Sequence, residues 1–309
     1  MIVVTGAAGF VGRAVHARLN DAGHAVLALT HGGSFQPGEG EVSLDLNDPR
    51  HYASLGHYCR AADTLVHLAG LMPVTLAPGD DGDHRPRAAA QDFSGIYQSN
   101  VVMTARLLEF ALSVGIRHVV FASSQAVYGL PSTTVVTEDT PSAPLEHYAA
   151  SKVAGEIMLA LWARGHGRKV TILRFPGVWG EGRDNGVVRA LCRQAIGDGQ
   201  LRVGAEYPLP FDVIHREDVA AAFKAALGRP GENCRTYNVA TGEPCSLTRL
   251  AQDVAELVPR CRVETFGVPQ PDIVLNSTRA AAELGWRARP RRERLAEYIE
   301  HLRRHPVHA

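Results

Sequence analysis

The 309-residue chain has no excess charge of either sign: 32 Lys and Arg balance 32 Asp and Glu. No global field recruits nucleic acid or an anionic membrane, which argues against either as a partner. The five cysteines, Cys59, Cys192, Cys234, Cys245 and Cys261, are odd in number and contain no C-x-x-C pair. Reduced thiols in the cytoplasm are the expectation. None of the 14 histidines falls in an H-E-x-x-H or Cys/His cluster, so no metal is expected. No apolar run approaches the ~18 residues of a membrane span, and a strand starting at residue 2 leaves no basic secretory leader. Internal repeats and low-complexity segments are also missing. What is present is a 45% apolar composition, ample for one large α/β domain or two unequal ones.

The stretch around which the chain is organised is MIVVTGAAGFVG. Ile2, Val3 and Val4 suit a strand covered on both faces. Gly6, Gly9 and Gly12 follow as G-x-x-G-x-x-G, which differs from the common G-x-G-x-x-G fingerprint. Each has a separate job beside a dinucleotide: a tight turn, close approach to a pyrophosphate, and close helix packing. The helix start then offers N–H groups to the phosphates.

Val11, Val15 and Leu19 form the apolar stripe of a helix ending near Gly23, and residues 25–29 read as a second strand. An acid commonly ends this strand and excludes a 2′-phosphate. Here Thr30 and His31 stand there, so NAD or NADP fits, with a lean to NADP. Asp45 is open to two readings, an adenine acceptor with Leu46 covering the ring, or a helix N-cap. A strand over 64–68 leads into Leu68, Ala69 and Gly70, small enough for the backbone to run beside a cofactor. Residues 73–95 read as a long loop. Residues 100–114 read as a helix and 118–123 as a fifth strand, and residues 217–227 and 247–257 read as helices. The arginine-rich run 287–294 reads as the solvated start of a final helix.

Ser123 and Ser124 close the fifth strand. Tyr148 and Lys152 follow at a four-residue spacing, which places both on one helix face. An adjacent ammonium favours a phenolate, so the reading expects Lys152 to lower the Tyr148 pKa, with Ser124 holding the reacting oxygen.

TGAAGFVG, HLAG, SSQAVYG, YAASK, RFPGVWG, VIHREDVA and ELGW together resemble an extended short-chain dehydrogenase/reductase of the NAD-dependent epimerase/dehydratase family. The resemblance implies an α/β fold, a doubly wound parallel Rossmann sheet of about seven strands with a smaller C-terminal substrate domain. Residues 1–174, joined by 211–240, would form the first; 175–210 and 241–309 would form most of the second. The resemblance makes Ser124, Tyr148 and Lys152 catalytic. It assigns the cofactor to Gly6, Gly9, Phe10, Val11, Gly12, Thr30, His31, Asp45, Leu46, Leu68, Ala69, Gly70, Asn100, Tyr148, Lys152 and Phe175. Substrate would meet Ser124, Gln125, Tyr148, Gly177 and Phe211, and a homodimer is implied.

The departures narrow the chemistry. Gln125 and Ala126 stand where the family's dehydratases carry an acid pair, its decarboxylating members a glutamate at 126, and its double epimerases a cysteine at 125. Simple oxidation or reduction, or 4-epimerisation, remains. Gly177 replaces a common asparagine, while Phe211 and Gln270 replace common arginines. Each charged hydrogen bond lost is worth ~1.5 to 3 kcal/mol. Arg183 and Arg216 are possible substitutes, though a solvated role is the expectation. The reading is an NAD(P)-dependent oxidoreductase or epimerase of a sugar-like secondary alcohol or ketone, with a nucleotide-sugar 4-epimerase or reductase first. A dehydrogenase of a non-nucleotide small molecule is the alternative, and a non-catalytic NAD(P) sensor comes last.

Overall fold

The computed structural model describes residues 1–31, 40–72, 93–204, 212–228, 233–268 and 270–305. The chain opens with β1 (Ile2–Thr5), α1 (Phe10–Asp21), β2 (Val26–Thr30), β3 (Glu41–Ser43), α2 (His51–Tyr58) and β4 (Thr64–His67). The alternation in β1 shows why the strand is apolar throughout. Ile2 and Val4 pack into the core beneath α1, while Val3 packs into the core beneath α2.

The expected long loop over 73–95 falls mostly outside the described residues. Its end is helical: α3 (Phe93–Tyr97) passes through a π turn at Gln98–Val102 into α4 (Met103–Ser113). Then come β5 (His118–Ser124), a short 3₁₀ turn, β6 (Val135–Val136), α5 (His147–His166) and β7 (Lys169–Phe175). The next elements are β8 (Gly177–Trp179), α6 (Val187–Asp198), β9 (Gln200–Gly204), β10 (Val213–His215), α7 (Arg216–Leu227) and β11 (Cys234–Asn238). The chain finishes with α8 (Leu247–Leu257), β12 (Arg262–Phe266), β13 (Val274–Leu275), α9 (Thr278–Leu284) and α10 (Arg291–Arg304).

Seven strands form one parallel sheet in the order β11-β7-β5-β4-β1-β2-β3. Chain direction across the sheet reverses between β1 and β4, and the crevice at such a switch point is where ligands of open α/β sheets bind. The glycine turn leaves β1 and the HLAG segment leaves β4 at that place. A separate apolar cluster gathers Trp179, Leu191, Leu201, Leu250, Leu295 and Tyr298 from the later chain. Trp286 instead returns to the core under α1 and α7, its indole N–H donating to Asp218 O at 3.0 Å. Among the described residues, no helix is long and apolar enough to cross a membrane.

The arginine run at the start of α10 is only partly the solvated patch its composition suggests: Arg287, Arg289 and Arg292 are exposed, but Arg291 and Arg294 are not. Arg294 is clamped in a bidentate pair by the buried Asp218, with contacts of 2.9 and 2.7 Å. Arg291 is buried and donates to Asp253 at 2.9 Å and to Pro244 O at 3.0 Å. These pairs tie α10 to α7 and α8.

Candidate active site

Gly6 adopts φ +69°, and a Cβ there would lie 2.8 Å from Ala69 N. At Gly12 a Cβ would stand 2.0 Å from Gly6 O. Neither position accepts a side chain, so the turn off β1, the start of α1 and the end of β4 close on one another as a bare-backbone cradle. Gly9 N donates to Gly6 O at 3.0 Å, and the first rung of α1 runs from Arg13 N to Gly9 O. The N–H groups of Phe10, Val11 and Gly12 therefore precede the helical ladder, and no acidic side chain stands in the first turn. A pyrophosphate fits this cradle.

Thr5 anchors the other wall. Its hydroxyl accepts from Leu68 N at 3.2 Å and Ala69 N at 3.1 Å, leaving its own proton for His67 Nδ1 at 2.9 Å. His67 Nε2 then donates to Thr104, which itself donates to Asn100 O. Burial, with Lys152 nearby as a lesser cause, pushes the imidazole down to about 3, so His67 is a neutral strut. Asn100 is buried in the π turn. Its amide nitrogen donates to Leu71 O and Ser151 Oγ, and its oxygen accepts from Leu71 N. Those bonds make Asn100 a clamp on the segment beyond Gly70, where direct cofactor contact was expected. Phe175, at the end of β7, packs edge-on to Phe223.

Ser124, Tyr148 and Lys152 come together at the end of β5. The Ser124 hydroxyl hydrogen-bonds the Tyr148 phenol and accepts from Ala126 N at 3.1 Å. Lys152 Nζ donates to Ala122 O at 2.9 Å and lies 5.7 Å from the centre of the Tyr148 ring. The expected lowering of the Tyr148 pKa does not occur in this state. Burial pushes the phenol up to about 12, against a smaller opposing pull from the Ser124 hydrogen bond. Burial likewise brings Lys152 down to about 8, with Glu156 one turn along α5 pulling the other way. Desolvation outweighs the mutual help of ammonium and phenolate.

Behind this set lies a network that sequence reading missed. Glu156 Oε1 accepts from Ser123 and from Arg174 Nε, and Arg174 reaches Tyr128, whose hydroxyl donates to Asn238. The four-residue spacing from Lys152 to Glu156 was a legible signal for it.

The other expected positions divide. Asp45 accepts from Asn47 N at 2.8 Å, a local turn cap rather than a helix N-cap, because α2 begins six residues later at His51. His31 faces Asp45 at 3.8 Å. Leu46 is buried in the core and offers the cleft little side-chain surface. Thr30 is buried, and its hydroxyl donates to Glu41 at 2.9 Å. A carboxylate thus stands at the end of β2 after all, which removes the ground for the lean to NADP. Gly177 N donates to Asp212 O at 3.3 Å, Gln125 follows Ser124 in the 3₁₀ turn, and Phe211 lies outside the described residues. Arg183 and Arg216 are half-buried, not solvated, and each guanidinium lies 5.7 Å from the centre of the Phe10 ring. Arg183 also donates to Val178 O at 2.7 Å. Arg216 shares Glu181 with His215, whose hydrogen bond holds the Glu181 carboxyl down to about 2.

The pattern of the NAD dependent epimerase/dehydratase family matches residues 2–240. The chain belongs to that family. It is of the extended short-chain dehydrogenase/reductase type, and the protein is an NAD-dependent enzyme of that class. Over 312 residues it is 28% identical to a UDP-glucose 4-epimerase of Azospirillum brasilense, covering 92% of this chain and 86% of the relative. It is 29% identical to the UDP-glucose 4-epimerase of Mycolicibacterium smegmatis, covering 92% of each. Among solved structures, MoeE5 in complex with UDP-glucuronic acid and NAD superposes with TM-score 0.78 at 28% identity, covering 98% of this chain and 99% of the other. The Thermus thermophilus UDP-glucose 4-epimerase in complex with NAD gives 0.79 at 25%, covering 99% of both.

Proposed function

We propose that the protein is an NAD-dependent nucleotide-sugar 4-epimerase. The observation that carries the reading is the Ser124–Tyr148–Lys152 set beside the glycine cradle, with no acid or base at Gln125 or Ala126 to divert the reaction into elimination. Epimerase relatives and NAD-bound neighbours support it. NAD, when bound, accepts a hydride from the sugar carbon and returns it. Tyr148 takes the proton of the 4-hydroxyl and later gives it back, Ser124 hydrogen-bonds the same oxygen, and Lys152 supplies the positive charge that a phenolate needs.

Arg183 and Arg216, stacked on Phe10 at the head of α1, stand in for the diphosphate anchors absent at Phe211 and Gln270. The later apolar cluster supplies the substrate-binding half, residues 175–210 and 241–309. On α5, Ile157 and Leu161 are 56% and 53% exposed and one turn apart, which supports a homodimer through this face. Five free cysteines fit a reducing, cytoplasmic setting.

A second reading, a dehydrogenase of a non-nucleotide polyol or ketone, is favoured by Gly177 and by the exposed Gln270, neither of which holds a diphosphate sugar as the family's usual residues do. Calorimetric titration of UDP and dTDP into NAD-loaded protein separates the two. Micromolar binding is expected; absence of binding by NAD-loaded protein selects the second reading.

A further inference from the structure

Thr30 ends β2, where the family places an acid, and Glu41 begins β3 eleven residues later. Parallel pairing sets Glu41 opposite Ala28 and Thr30 opposite Ser43, so the Glu41 side chain has to run along β2 toward its C-terminal end to reach Thr30. It does: Oε1 accepts from the Thr30 hydroxyl at 2.9 Å, and Thr30 is itself 3% exposed. The second oxygen, Oε2, is buried and has no hydrogen-bond partner among the described residues. A buried oxygen without a partner costs more than a paired one, and its retention is consistent with a donor supplied by a ligand.

We infer that Glu41 is the residue that selects NAD over NADP, by accepting hydrogen bonds from the adenosine ribose diol at the end of β2. Thr30 and Glu41 together would do the work of one acid: the hydroxyl fixes one carboxylate oxygen, and the second is left without a partner among the described residues. A ribose offers two hydroxyl donors to such a group, whereas a 2′-phosphate brings a dianion against a carboxylate that has little water to screen it. Arg13, on the first turn of α1, is turned onto Ala8 O at 2.9 Å, and His16, one turn further along, feels the Glu41 charge while burial holds its own pKa down. The other carboxylate at this rim, Asp45, faces His31.

The inference rests on the dinucleotide reading above, and one experiment separates the two. Calorimetric titration of NAD and of NADP into the wild type, Glu41→Gln and Glu41→Ala reads binding without turnover. The wild type is expected to bind NAD at least about tenfold more tightly than NADP, the worth of one charge-assisted hydrogen bond. Glu41→Gln, which keeps the Thr30 bond and removes the charge, is expected to bring the two cofactors within about threefold of each other. Glu41→Ala is expected to weaken NAD further, with circular dichroism confirming an unchanged fold. An NAD/NADP ratio unchanged in Glu41→Gln, or a wild type indifferent to the 2′-phosphate, overturns the assignment while leaving the enzyme reading intact. Failure of the wild type to bind either dinucleotide overturns both.

Discussion

Lys152 and Glu156 stand one turn apart on α5 with their charges directed to different ends: the ammonium donates to Ala122 O beside Tyr148, and the carboxylate is held by Arg174 and Ser123. Lys152 is therefore buried next to a carboxylate that is already paired. Its charge is only partly compensated, which is why its pKa falls to about 8 despite an acid at i+4.

A stability cost follows. The folded pKa of about 8 lies below the ordinary 10.5, so between those values the unfolded chain binds more protons and stability rises with pH. Below pH 8 the charged, buried lysine costs on the order of 3 to 4 kcal/mol, since each tenfold change in proton affinity is worth about 1.4 kcal/mol. Lys152→Met is expected to lose turnover yet unfold at higher urea than the wild type at pH 7. That advantage should shrink toward pH 10.5. A variant less stable at pH 7 would contradict the burial argument.

Removing Glu156 acts in the opposite direction. Glu156→Gln leaves the Arg174 guanidinium buried with one charge partner gone, and breaking such a pair costs about 3 to 5 kcal/mol. Chemical denaturation is expected to show a loss of that size.

Gly12 is the sharpest single test of the cradle. Gly12→Ala would place a methyl 2.0 Å from Gly6 O, against backbone that has nowhere to go. The expected result is loss of measurable NAD binding by calorimetry with the fold retained by circular dichroism. The substitution Gly56→Ala, in open space on α2, is the control and should leave binding unchanged.

Arg183 carries the diphosphate argument. Arg183→Ala is expected to weaken UDP binding to the NAD-loaded enzyme by about ten- to a hundredfold, the worth of one charged hydrogen bond. Unchanged UDP affinity would return Arg183 to a packing role on Phe10.

The parts that were legible in the sequence are those in which neighbours along the chain are neighbours in space. The glycine turn, the Tyr148–Lys152 spacing and the strand before them belong to single local units. What escaped depends on groups brought from afar. Arg291 and Arg294 sit in a charge run that looks solvated, but Asp253 and Asp218 arrive from 38 and 76 residues away to pair with them. The carboxylate at Thr30 comes from the next strand through parallel register. The direction of the Tyr148 shift was misjudged for a related reason: spacing shows the ammonium, whereas desolvation depends on everything packed around it.

Tyr148 and the bound cofactor are expected to invert a sugar carbon without releasing its hydrogen. The direct measurement is magnetic resonance of UDP-galactose deuterated at C4 after incubation with the NAD-loaded enzyme, alongside Tyr148→Phe. The account expects UDP-glucose that keeps its deuterium at C4, at a rate lowered by about a hundredfold or more in the variant. Washout of the label into solvent, or conversion by Tyr148→Phe at the wild-type rate, would contradict it.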